Sequence, residues 1–223
     1  TVLETPAFVV KSGDEILVDH KPLPKRETTR LWRYYKPRGL IVSHHDEQNR
    51  ETIFDRIGNK LPRVMSIGRL DLDSEGMILL TNDGGLARYL ELPSTGWTRK
   101  YRVRVFGKVD ETMLTDLKNG ITIGGIRYRS LLVRLDKQMK SNAWLTISIK
   151  EGKNREIRRV MEFLGYSVSR LIRTSYGPFQ LGNMQQDTLL EVKQSILREQ
   201  LGQVYSENGT PILPKIPSKQ QLS

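Results

Sequence analysis

The sequence has no cysteine and only three histidines. The missing cysteines exclude disulfides, thiolate metal sites and cysteine nucleophiles, and fit a reducing cytoplasm. No run approaches the roughly 18–20 consecutive apolar residues of a membrane span. No N-terminal stretch has the pattern of a secretory signal, and there is no internal repeat. Acidic residues are the minority: 36 Lys and Arg stand against 25 Asp and Glu, a net charge of +11. What remains is a chain of 223 residues, 37% hydrophobic and 27% charged, which suits a soluble protein with one sizeable core. The basic excess points to a polyanionic partner, most often nucleic acid.

Periodicity divides the chain into short strands and helices without a regular βαβ rhythm. Glu15–Val18 reads as a strand before an Asp19-His20 turn, and residues 25–29 read as a polar linker. Apolar stretches flank the Lys36-Pro37-Arg38-Gly39 loop, and Ile53, Phe54 and Ile57 share one face of a short helix. A further helix is expected over Leu86–Leu92. Tyr101, Val103 and Val105 alternate with Lys100, Arg102 and Arg104, the signature of a half-exposed strand. Asp110 and Gly120 bracket a helix, and two strands follow it. Ile157, Val160, Met161 and Leu164 fall at i, i+3, i+4 and i+7, with Asn154 expected as the helix cap and Gly165 as its end. Another strand and a last helix over Gln194–Leu201 lead to a loose tail over residues 203–223. This mixture predicts an α+β fold on a mostly antiparallel sheet.

Three clusters invite chemistry. Asp71, Asp73 and Glu75 stand at alternate positions before Gly76, as in the first half of a calcium loop. That loop needs a bidentate Glu at its twelfth position, where this chain has Asn82, and it needs a helix on each side. A polar turn accounts better for Asp73, Ser74 and Glu75, with Gly76 at positive φ. Asp71 is less easily explained, because it follows an apolar stretch at the point where a strand gives way to a loop. The second cluster, Glu151–Val160, is rich in cations. A solvated helix face is the ordinary reading; a phosphate site is the functional one. In the latter, Gly152 and Asn154 precede free helix amides, and Lys153, Arg155 and Arg159 add counter-charge. Arg158 borders the apolar stripe, where an arginine drawn inward needs an anion. The third, His44-His45-Asp46, reads as a surface loop. Tyr101, taken alone, reads as a core aromatic.

Together the segments resemble a known family. "GRLDLDSEGMILLTNDG" resembles the catalytic segment of the pseudouridine synthases that modify ribosomal RNA. "RKYRVRV", "EGKNREIRRVMEFLG" and "YYKPRGLIVSHHD" are similar to its other motifs, in family order, over roughly Arg30 to Gly182. The branch it is most similar to carries an N-terminal S4-type RNA-binding domain. Within that branch, Glu75-Gly76 and "VSRLIRTSYG" look most like the B-type enzymes that modify large-subunit RNA.

The resemblance implies a central mixed, mostly antiparallel sheet flanked by helices, with an RNA-binding cleft. It implies a catalytic domain over residues 30–202. It also implies that residues 1–24 are the end of an S4-type domain whose earlier part is missing. Carried over by position, Asp71 is the catalytic aspartate, Tyr101 packs against the target base, Arg158 is the basic partner of the aspartate, and Arg69 helps to hold the opened RNA. Lys36, Arg38, Lys153, Asn154, Arg155 and Arg159 are the expected RNA contacts. The expected partner is ribosomal RNA, 23S before 16S, met by a cytoplasmic monomer. A silent RNA-binding or ribosome-assembly protein on the same fold is the alternative. The reaction detaches uracil at N1 and rejoins it through C5 without redox change, so no metal or cofactor is expected. An ionised carboxylate is what it requires. Burial would raise the Asp71 pKa, and an adjacent arginine would oppose that.

Overall fold

A computed structural model describes residues 15–22 and 27–201. The first segment is a hairpin of β1 (Leu17–Val18) and β2 (Lys21–Pro22). Asp19 and His20 both take positive φ at its turn, the conformation a two-residue hairpin loop demands. The rest of the expected S4-type remnant and the tail over 203–223 lie outside the described residues, as does part of the expected linker.

In chain order the main body holds β3 (Leu31–Lys36), α1 (Ile53–Ile57), β4 (Met65–Ile67), β5 (Glu75–Thr81), α2 (Gly84–Glu91) and β6 (Arg99–Phe106). It continues with α3 (Glu111–Thr115), β7 (Ile121–Ile123), β8 (Ile126–Tyr128), β9 (Leu131–Gln138) and β10 (Asn142–Ile149). It ends with α4 (Glu156–Phe163), β11 (Val168–Tyr176), β12 (Phe179–Gln180), β13 (Leu189–Glu191) and α5 (Gln194–Leu201). Nine strands form one sheet, ordered β13-β3-β5-β11-β6-β10-β9, with β4 added to β5 and β12 to β11. Among the described strands only β5 and β11 pair in parallel; the sheet is mixed and mostly antiparallel, as expected.

Strand alternation builds a core on each face of this sheet. In β3, Trp32 and Tyr34 join one apolar cluster while Leu31 and Tyr35 join the other. β5 reads "EGMILLT" without polar alternation because all seven of its residues are buried. Ile157, Val160 and Met161 of α4 pack on the first face with Tyr101, Val103, Leu145 and Ile147. Each such side chain contributes roughly 1.5–3 kcal/mol by leaving water. On the second face, Leu86 and Leu90 of α2 belong to one buried cluster with Leu197 and Leu201 of α5.

One edge of β5 is shared. Its C-terminal half pairs with β4, Ile67 opposite Leu79, while Glu75 and Gly76 pair with Ile172 and Arg173 of β11. The chain must therefore cross from β4 to β5 at the place where the sheet divides. That crossing is the segment from Gly68 to Ser74, which carries Asp71.

Candidate active site

The crossing loop is tied from below by the Lys36–Gly39 segment. Lys36 is fully buried, and its ammonium donates to the carbonyl oxygens of Asp71 at 3.2 Å, Ser74 at 2.8 Å and Pro37 at 3.0 Å. The Gly39 amide donates to the Leu72 carbonyl at 2.8 Å, and the Ser74 amide to that of Asp71 at 3.0 Å. Burial pushes the Lys36 pKa down to about 8, against the opposing pull of Asp71, Asp73 and Glu75. The expectation that Lys36 contacts RNA is corrected: it ends a strand buried on both faces, and its three donors are already used. Arg38, two residues on, is exposed.

Asp71 itself points into a cleft of about 500 Å³ that Arg69, Tyr101, Arg173, Lys153, Asn154 and Arg155 also line. Its side chain is 35% exposed and lies 3.7 Å from Arg155 Nη1. Tyr101, on β6 opposite Ile147 and Arg173, presents an aromatic ring to the same space. Two elements distant in sequence, the crossing loop and the start of α4, thus form facing parts of one cleft.

Arg158 takes a different position from the expected one. Its guanidinium donates to the carbonyl oxygens of Asp73 and Val168, both at 3.0 Å, and pairs with the Asp73 carboxylate at 3.2 Å. It therefore braces the far end of the crossing loop against β11 and is not in ion-pair range of Asp71. The reason is position along the helix: Arg158 follows Ile157 inside α4, at the border of the buried stripe, while Arg155 stands at the N-cap in a left-handed conformation and reaches the cleft. Burial lowers the Arg158 pKa, with the Asp73 charge opposing.

The three carboxylates all face cations, Asp71 and Asp73 sharing Arg155 and Glu75 meeting Arg170. Asp73 accepts both Arg155 nitrogens, at 3.1 and 3.2 Å. Burial raises its pKa, but these arginines outweigh burial and hold it below the usual range. Glu75 is only 1% exposed and begins β5, so the polar turn expected to include it ends before it. It receives Arg170 through two bonds of 2.6 and 3.0 Å and Gln186 at 2.8 Å. Among the described residues no group of three or more His, Asp or Glu side chains could hold a metal ion.

The start of α4 also departs from expectation. Asn154 does not cap the helix; Arg155 occupies the N-cap with φ of 49°, and Asn154 Oδ1 accepts from Arg159. The Lys153 amide is taken by Glu156 Oε2 at 3.0 Å, so that donor is not free for a phosphate. Lys153 is drawn to Glu151 and to the Arg127 carbonyl. Glu156 is buried beside Glu151, and burial with that neighbouring charge raises its pKa to about 7.

Sequence reasoning missed Arg173 and Arg99. Arg173, 2% exposed, lines the cleft floor, donates to the Met77 carbonyl at 2.6 Å and lies over the Tyr176 ring. Arg99 donates to the Tyr176 hydroxyl at 2.7 Å. The available signal was a cation at an inward position of a strand, as Arg99 is by its phase with Tyr101.

Residues 30–163 match the family model described as RNA pseudouridylate synthase. The chain belongs to the RNA pseudouridylate synthase family. It is 46% identical over 195 residues to an uncharacterized RNA pseudouridine synthase of Rickettsia felis, covering 87% of this chain and 84% of that one. It is 42% identical over 164 residues to the ribosomal large subunit pseudouridine synthase B of Pasteurella multocida, covering 70% of this chain but 46% of the relative. A crystal structure of a pseudouridylate synthase matches the fold with a TM-score of 0.69 at 24% identity, over 89% of this chain and 84% of that one. The matched region contains β4, β5, the crossing loop, β6 and α4, while β11, which brings Arg173 to the cleft, follows it in the chain.

Proposed function

We propose that this synthase isomerises a uridine of large-subunit ribosomal RNA, with Asp71 as its catalytic carboxylate. One observation carries the reading: Asp71, Tyr101, Arg69 and Arg155 line a single cleft although they come from three separate parts of the chain. The C1′–N1 glycosidic bond breaks, the uracil turns, and a C1′–C5 bond forms as the C5 proton leaves and N1 gains one. Asp71 is the nucleophile or charge stabiliser at the reacting centre. Its backbone is fixed by Lys36 and Ser74, so little reorganisation is needed when substrate arrives. Arg155 Nη1 stands 3.7 Å from its carboxylate and adds positive charge to the cleft.

The target uridine must leave its stack to reach this depth. Tyr101 offers the flipped base a ring, and Arg69, Arg38 and Arg159 offer cations to the phosphates around it. Similarity to the Pasteurella multocida synthase B, named for the large ribosomal subunit, supports 23S over 16S RNA as the substrate. The test is tritium release from ribosomal RNA labelled at uridine C5, together with carbodiimide mapping of the modified position. Asp71→Asn is expected to bind RNA, remain folded and release no tritium. A variant with near-normal release would remove Asp71 from the mechanism, and a mapped site in 16S RNA would overturn the substrate.

A further inference from the structure

A second cavity of about 880 Å³ lies on the other side of the crossing loop, sharing Arg69, Leu70, Asp71 and Asn154 with the cleft. Its remaining lining comes from Leu72 and the segment 41–50 between β3 and α1. Two features of this lining suit a nucleobase. His44 is exposed, and its ring is stacked on Phe54 with centroids 3.7 Å apart and planes 11° from parallel. Phe54 thus holds one face of the imidazole and leaves the other as a flat platform. Leu72, on the same cavity, is exposed although large and apolar.

Polar groups at the rim can read a base edge. Gln48 and Asn154 line the cavity with amide side chains, while the Ser43 hydroxyl is engaged with the main chain of His45 and Glu47 adds one exposed carboxylate. Asp46 is paired with Arg50 through Nε at 3.0 Å and Nη2 at 2.7 Å, so its charge is neutralised locally. A ring platform, an apolar contact and a few neutral hydrogen-bonding groups are what single-stranded RNA modules use to hold a splayed base.

We infer that this cavity binds the nucleobase of a nucleotide neighbouring the target uridine, stacked on His44, and that it contributes to site selection. The inference rests on the proposed RNA substrate. The cavity's position gives it a reason: a nucleotide can be pulled from a helix only if its neighbours find replacement contacts. Arg69, Leu70 and Asp71 partition the two cavities, so adjacent nucleotides would occupy the two sides of one loop.

The experiment uses a stem-loop RNA cut from the mapped modification site, with an abasic nucleotide placed in turn at each position flanking the target. For wild type, one flanking position is expected to be sensitive, losing about tenfold in kcat/KM and in affinity by fluorescence anisotropy, as for one stacking contact. His44→Ala should lose a similar factor on intact RNA and nothing further on that abasic RNA. His44→Phe should restore most of it. Equal loss for His44→Ala on intact and abasic RNA would assign His44 a structural role and overturn the inference. So would the absence of any loss. A wild-type chain that binds the RNA but forms no pseudouridine would defeat the proposed function instead, and the anisotropy comparison would still decide the cavity.

Discussion

Lys36 and Asp71 meet through the main chain: the buried ammonium of one donates to the carbonyl oxygen of the other at 3.2 Å. The contact fixes where the Asp71 side chain starts, not its charge. Replacing Lys36 by Met keeps the stem volume and removes a costly buried charge, but leaves three carbonyl oxygens short of a donor. These effects oppose each other, so the expected loss of stability is about 2 kcal/mol or less. The loop's register over the cleft has no such compensation. Single-turnover rates for Lys36→Met should therefore fall at least about tenfold while RNA affinity and its salt dependence stay near wild type. An RNA contact would give the opposite pattern.

Gly76 is the pivot where the crossing loop enters the sheet. Its φ is +109°, and a Cβ there would lie 2.5 Å from the Arg173 amide nitrogen and against the Arg173 carbonyl. Both partners are backbone atoms of a paired strand and cannot move aside. Gly76→Ala should cost about 3 kcal/mol or more, a fall in Tm of roughly 6–12 °C for a chain of this size. Differential scanning fluorimetry measures it directly.

The elements whose side chains alternate cleanly were legible from sequence. Tyr101, Val103 and Val105 point inward, and Ile157, Val160 and Met161 are buried as their spacing requires. The region joining Asp71 to Tyr101 was legible through motif resemblance. The ion pairs were not. Whether Glu75 faces water or Arg170 depends on β11 arriving in parallel beside β5, a long-range pairing that local pattern does not encode. The same holds for Lys36: a lysine in a Lys-Pro-Arg-Gly loop looks solvent-bound until the crossing loop is laid over it.

Glu156 gives a pH signature. Its folded-state pKa, about 7, lies above the ordinary glutamate value of 4.5. The folded protein then holds more protons than the unfolded chain between about pH 4.5 and 7. This contribution to stability is fully present below that window and is lost as pH rises through 7. Glu156→Gln keeps an oxygen for the Lys153 amide and adds a donor toward Glu151. Wild type should lose Tm between pH 5.5 and 8 by about 3 °C or more beyond any loss in Glu156→Gln. Parallel curves would show that Glu156 does not titrate there.

Arg155 and Arg158 should separate by phenotype, because one faces the cleft and the other braces the loop. Arg155 Nη1 is 3.7 Å from Asp71, and the side chains are 43% and 35% exposed, so solvent screens the pair. Arg155→Ala should weaken RNA binding and reduce the salt slope by about one, with a modest fall in rate. Arg158 is held by two carbonyl oxygens and the Asp73 carboxylate, in a planar fork that an ammonium cannot reproduce. Arg158→Lys should therefore behave almost as badly as Arg158→Ala, lowering rate and Tm together. A double-mutant cycle decides between partners. Arg158→Ala is expected to couple with Asp73→Ala by about 1–2 kcal/mol in stability and to be nearly additive with Asp71→Asn. Strong coupling to Asp71 would return Arg158 to the role of direct partner and make Arg155 the peripheral cation.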